Sequence, residues 1–179
     1  MKAQRSATIG LITIICGFFL WQKIDPFIIN NFYLPPLADM QSYGQWYRLF
    51  TVALTHANLL HLGFNMYSLM VLGNPIEAAF GKEKFLAIFF LSLLSGSLVS
   101  NYFAAANQPS VGASGAVFGL FGAMAVVGRK IGADIRSIAV IVGINFAFGF
   151  ALGGVDWRAH LGGLIGGAIA STLLLRQKR

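Results

Sequence analysis

The sequence predicts an all-α, polytopic membrane protein: a bundle of six membrane-spanning helices forming a single domain over residues 1–179. Three observations predict it. First, of 179 residues 56% are hydrophobic and 11% charged, with 21 Gly and 16 Phe; a soluble domain carries about 25% charged residues. Second, apolar runs recur at about 7–22, 51–73, 84–105, 112–128, 136–153 and 157–175, near the roughly 17–25 residues that cross a bilayer. Third, lysine and arginine fall on alternate connections, the pattern that fixes membrane orientation.

The first run follows Lys2 and Arg5 and continues into Gln22-Lys23-Ile24-Asp25-Pro26 with no small-residue cleavage site, so it reads as a retained span and not as a removed signal peptide. The connection 23–50 is the only long one. It holds Pro26, Pro35, Pro36, several tyrosines and Trp46 but no apolar run of spanning length, and aromatic-rich segments of this kind favour the membrane–water interface. Runs one and four are short, which predicts ends that stop below the surface. The single cysteine, Cys16, lies in an apolar run and forms no internal disulfide.

With the N-terminus inside, Lys2, Arg5, Lys82, Lys84, Arg129, Lys130, Arg136, Arg176, Lys178 and Arg179 are cytoplasmic, and only Lys23, Arg48 and Arg158 lie outside. Both termini are then cytoplasmic. The net charge of +7 is a topology signal, which argues against a nucleic-acid partner. Spans 2, 4 and 6 run parallel, from outside to inside. Ser114 and His160 fall at the outer ends of spans 4 and 6, while His61 lies roughly 15 Å along span 2, with Asn65 one turn further on the same face. Span 4 is about 24 Å long, so Ser114 can sit below the surface and meet His61 at similar depth.

Membrane helices associate through small residues that let backbones approach. Span 4 offers Gly115, Gly119 and Gly122; span 6 offers Ala159, Gly163, Gly167 and Ser171, with a second row in Gly162 and Gly166. These faces predict contact between spans 4 and 6.

Polar groups inside a membrane are costly and face the protein interior. His56, His61, Asn65, Ser114, Asn145 and His160 are such groups. Singly, five of them have a structural explanation: His61, Asn65 and Asn145 as interhelical hydrogen-bond partners, Ser114 as a small packing residue, His160 as an interfacial histidine. A zinc site fits poorly, since His56 and His61 are five apart on a predicted helix and neither H-E-x-x-H nor an intramembrane carboxylate is present. The G-x-S-x-G elbow is excluded by Ala116. A chymotrypsin-like order is excluded because the histidine follows the serine, and Asp156, in the outer loop, supplies no evident acidic third member.

Four segments occur in order: Gln45-Trp46-Tyr47-Arg48-Leu49-Phe50-Thr51; Thr55-His56-Ala57-Asn58-Leu59-Leu60-His61-Leu62-Gly63-Phe64-Asn65; Gly112-Ala113-Ser114-Gly115; and Ala159-His160-Leu161-Gly162-Gly163, continuing to Gly167. Together they resemble the Trp-Arg, His-x-x-x-Asn, G-x-S-G and A-H-x-x-G-x-x-x-G elements of the rhomboid intramembrane serine proteases. The likeness covers most of the chain, from about Trp46 to Gly167. It implies a Ser–His dyad with Ser114 as nucleophile and His160 as general base and then acid. The implied oxyanion hole is the Ser114 backbone N–H with the side chains of His61 and Asn65. Phe118 matches the aromatic that stacks on the catalytic histidine; Gly112, Gly115 and Gly163 are supporting; Glu77 and Arg48 read as structural. The resemblance implies transmembrane protein substrates with a small residue before the scissile bond, and no metal, nucleotide or other cofactor. It also implies residence in the lipid bilayer of a bacterial inner membrane, with the active site open to the outer side.

The Trp-Arg pair reads Tyr47-Arg48, and Phe stands at 118 where Tyr is also familiar. With neither an N-terminal cytoplasmic domain nor a seventh span, the chain reads as a minimal six-span core. The alternatives are a catalytically inactive relative that binds membrane proteins, opposed by the retention of Ser114 and His160, and a small transporter, opposed by the lack of buried charges and paired broken helices.

Overall fold

A computed structural model describes residues 6–103, 108–152 and 155–176, and the side chains of residues 145 and 147–152 lie outside that description. Lys2, Arg5, Lys178, Arg179 and the Asn145 side chain therefore fall outside the described residues. The regular elements among the described residues are all helical: α1 Ala7–Ile24, α2 Pro26–Phe32, α3 Leu37–Tyr43, α4 Arg48–Thr51, α5 Leu59–Phe80, α6 Lys82–Phe103, α7 Ser114–Val127, α8 Ile135–Leu152 and α9 Trp157–Arg176, with 3-10 turns at Val52–Leu54 and Gly128–Ile131. Among the described residues four segments are long and apolar enough to cross a membrane: Ala7–Ile24, Lys82–Phe103, Ser114–Ile131 and Trp157–Arg176. The helix α5 is long enough at 22 residues but carries His61, Asn65, Asn74 and Glu77.

The centre of the bundle is α7, in which every residue from Gly115 to Met124 is buried. Glycines make this possible. A Cβ at Gly163 would collide with the Gly115 carbonyl oxygen, one at Gly167 with the Gly119 carbonyl oxygen, and one at Gly122 with the Leu164 carbonyl oxygen. The pairs Gly115–Gly163 and Gly119–Gly167 advance together along both helices, so α7 and α9 run parallel, as the charge pattern predicts. The second glycine row meets α6 instead: Cβ atoms at Gly162 and Gly166 would lie 2.6 Å from Val99 Cβ and 2.5 Å from Ser95 Cβ. Ser95 Oγ also donates to the Gly162 carbonyl at 2.8 Å. Side-chain-free backbones thus bring α6, α7 and α9 together at one junction, where a Cβ at Gly96 would stand 2.7 Å from the Ala159 carbonyl oxygen and 3.2 Å from Gly115 Cα.

The second helix differs from the predicted 51–73. Residues Arg48–Leu54 form α4 and a 3-10 turn, and α5 begins only at Leu59, capped by Asn58, whose Oδ1 accepts from His61 N at 2.9 Å. At the other end α5 continues through Pro75 to Phe80. Glu77 is therefore on a helix, not a loop. It accepts from Ala7 N (2.7 Å), Thr8 N (2.9 Å), Ser6 Oγ (2.8 Å) and Thr8 Oγ1 (2.7 Å). A carboxylate there satisfies donors at the start of α1 that have no partner within the helix.

The connection after α1 folds into α2–α4 around Arg48, which is buried and donates through Nη1 to the Asn30 (3.0 Å) and Tyr33 (3.2 Å) carbonyls while its guanidinium lies over the Tyr33 ring at 4.9 Å. Trp46, Tyr47 and Phe50 remain exposed.

Candidate active site

The segment entering α7 is held by the connection between α1 and α5. Leu34 and Ser110 exchange two backbone hydrogen bonds, both 2.9 Å, and Gly112 N donates to the Val52 carbonyl at 3.0 Å. Ala113 N donates to His56 Nε2 at 3.4 Å. Gly112 has φ 116°, and a Cβ there would lie 2.8 Å from His61 Cε1 and 2.9 Å from Nε2. Glycine is needed twice over, for a backbone angle that L side chains avoid and for room beside an imidazole. Ser114 follows as the first residue of α7, so its N–H is among those with no carbonyl partner in its own helix.

His61 lies in the first turn of α5, not part-way down a span. Its ring meets Gly112 because both helices start at the same level, so a shortened α7 is not required. Asn65, one turn on, is buried and donates through Nδ2 to the His61 carbonyl at 2.9 Å. That bond uses one amide hydrogen and leaves the other, since the group carries two. Asn65 Oδ1 is buried without a hydrogen-bond partner among the described residues.

His160 lies in the first turn of α9 and is buried. Its ring stacks on Phe118, centroids 3.9 Å apart and planes 9° from parallel, with Phe146 edge-on at 6.3 Å and 80°. Phe118 is one turn beyond Ser114, so the imidazole lies over the opening turn of α7. A small cavity of about 10 Å³ is lined by Ser97, Ser110, Gly112, Ser114 and Ala159, among others, room for about one water molecule.

Sequence reasoning overlooked Phe146, the second aromatic wall, and Gln22, whose amide clamps the backbone of His56: His56 N donates to Oε1 at 3.1 Å and Nε2 donates to the His56 carbonyl at 2.7 Å. Nothing in the spacing of Gln22 from His56 signals this. The aromatic-rich stretch Asn145-Phe146-Ala147-Phe148 did offer a signal for Phe146. His56 is off the helix, and its ring faces that of His61 at 5.2 Å, so the two histidines are adjacent after all. No group of three or more His, Cys, Asp or Glu that could hold a metal occurs among the described residues.

Fold and site define a class: a polytopic helical membrane protein in which a serine and a histidine open two parallel, glycine-packed helices. A sequence model of the Rhomboid domain matches residues 43–177. The chain belongs to the rhomboid family. It is 40% identical over 139 residues to "Rhomboid protease GluP" of Bacillus subtilis (strain 168), covering 73% of this chain and 26% of that one. It is 34% identical over 140 residues to "Putative rhomboid protease YdcA" of the same organism (75% and 70%) and 39% identical over 141 residues to "RHOMBOID-like protein 5" of Arabidopsis thaliana (74% and 45%). The chain thus spans about a quarter of the first of these relatives and less than half of the third.

Proposed function

We propose that the protein is an intramembrane serine endopeptidase that cuts peptide bonds in or near transmembrane segments of other membrane proteins. Ser114 Oγ attacks the scissile carbonyl and passes its proton to His160. The oxyanion that forms accepts from the Ser114 N–H, the His61 ring and the free amide hydrogen of Asn65. His160 then protonates the leaving amine, and a water deprotonated by His160 hydrolyses the acyl-enzyme. Donors already fixed where negative charge develops lower the barrier most in a water-poor site. Residues 1–179 form one domain whose six spans correspond to α1, α5, α6, α7, α8 and α9, with both termini cytoplasmic and the site open to the outer face of a bacterial inner membrane.

The observation that carries this reading is the His160–Phe118 stack over the first turn of α7, with the His61 ring against Gly112 on its other side. Kinship with proteins named rhomboid proteases supports it. The test is cleavage of a model transmembrane substrate by the purified protein in detergent or vesicles. Wild type should cut it, and Ser114→Ala should not; cleavage surviving in Ser114→Ala contradicts the assignment.

A further inference from the structure

His160 Nδ1 is buried and has no hydrogen-bond partner among the described residues. Among the described residues no carboxylate is hydrogen-bonded to this nitrogen. Phe118 and Phe146 fix its plane, but the position of the whole side chain depends on the backbone of the first turn of α9. That turn is the weak part of any helix, because its leading N–H groups lack partners.

Asp156 supplies one of them and accepts the first bond of the helix proper. Its Oδ1 accepts from Ala159 N at 3.1 Å and its backbone carbonyl accepts from His160 N at 3.2 Å. Its other oxygen, Oδ2, accepts from the hydroxyl of Ser100 at 2.5 Å. Ser100 is buried on α6, one turn beyond Gly96, the residue against which the Ala159 carbonyl is seated. One face of α6 therefore holds the residues before His160 twice, by close contact at Gly96 and by a hydrogen bond through Ser100. A carboxylate at this helix start also suits the helix dipole.

We propose that Asp156, anchored by Ser100, is a positioning residue that sets the register of His160 over Ser114, acting through the helix cap and not as the acid of a triad. This rests on the dyad reading above. Loss of the anchor frees the first turn of α9 without removing any reacting group. Displacements near 1 Å cost about 10²-fold in rate, so the expected signature is a drop in turnover with KM little changed.

The experiment measures the rate at which a fluorophosphonate labels Ser114, together with kcat and KM on a model transmembrane substrate, well below each variant's Tm. Asp156→Ala and Ser100→Ala should label roughly 10–100-fold more slowly. The double variant should be no slower than Asp156→Ala, because the two act as one unit. Asp156→Asn should stay near wild type, since its Oδ1 still accepts from Ala159 N–H and its amide can donate to the Ser100 hydroxyl. Asp156→Asn as slow as Asp156→Ala would assign the role to charge and overturn the proposal. So would Asp156→Ala labelling at the wild-type rate, or an equal slowing in Thr8→Ala, a distant variant at the α1–α5 contact, at matched Tm. A wild type that does not label at all would fail the protease reading instead.

Discussion

Gly163→Ala is the substitution with the most direct consequence in this bundle. The added methyl would stand 2.8 Å from the Gly115 carbonyl carbon and 3.2 Å from its Cα, and would collide with its carbonyl oxygen. These are backbone atoms of the most buried helix, so no side chain can swing away. Restoring ordinary contact with that oxygen requires α7 and α9 to separate by about an ångström or more, and overpacking of this kind costs about 1–3 kcal/mol. The displacement acts where it matters, because Gly115 adjoins Ser114 and Gly163 is three residues beyond His160. A rate loss of about 10–10²-fold is expected beyond the loss of stability. Thermal unfolding in detergent measures the first effect and fluorophosphonate labelling the second. Gly17→Ala on α1, where a Cβ meets nothing within 4 Å, is the control and should gain up to about 1 kcal/mol from helix propensity. A Gly163→Ala protein as stable and as reactive as wild type would refute the close-packing argument.

Three further outcomes are expected. Gly112→Ala should reduce labelling by about 10-fold or more while expression persists, because it strains a positive φ and displaces the His61 ring; an unchanged labelling rate would show that the ring has room to move. Asn65→Ala should lower kcat by about 10²–10³-fold with little change in KM if its free amide hydrogen meets the oxyanion, as steady-state cleavage would show. Glu77→Ala should lower Tm, since it leaves the Ala7 and Thr8 N–H groups and two hydroxyls without their acceptor, by about 1–3 kcal/mol of stability, while labelling of the folded fraction stays unchanged.

Much of the bundle was legible because its signals are periodic. Apolar runs located α1, α6, α7, α8 and α9 to within a few residues. The four-residue glycine spacing marked both rows of α9, and the sequence reading took them together as a face toward span 4; the row Gly163 and Gly167 does meet α7, whereas Gly162 and Gly166 meet α6. The second helix was misplaced because hydropathy cannot distinguish Thr51–Leu54, which turn in short helices, from a span. Asn58, a strong N-cap residue three places before His61, was the local sign that α5 starts later. Contacts set by tertiary position were not legible as pairs: Gln22 on His56, Ser100 on Asp156, and Phe146 on His160, where the aromatic-rich stretch marked Phe146 but not its partner. Each pair is far apart in sequence or joins residue types with no periodic pattern.

The most direct test of the central claim is mass-spectrometric mapping of a fluorophosphonate adduct on the folded, membrane-reconstituted protein. The account predicts one adduct, on Ser114, formed at a rate that His160→Ala reduces by several orders of magnitude. An adduct on another residue, or labelling of Ser114 that does not depend on His160, would contradict it.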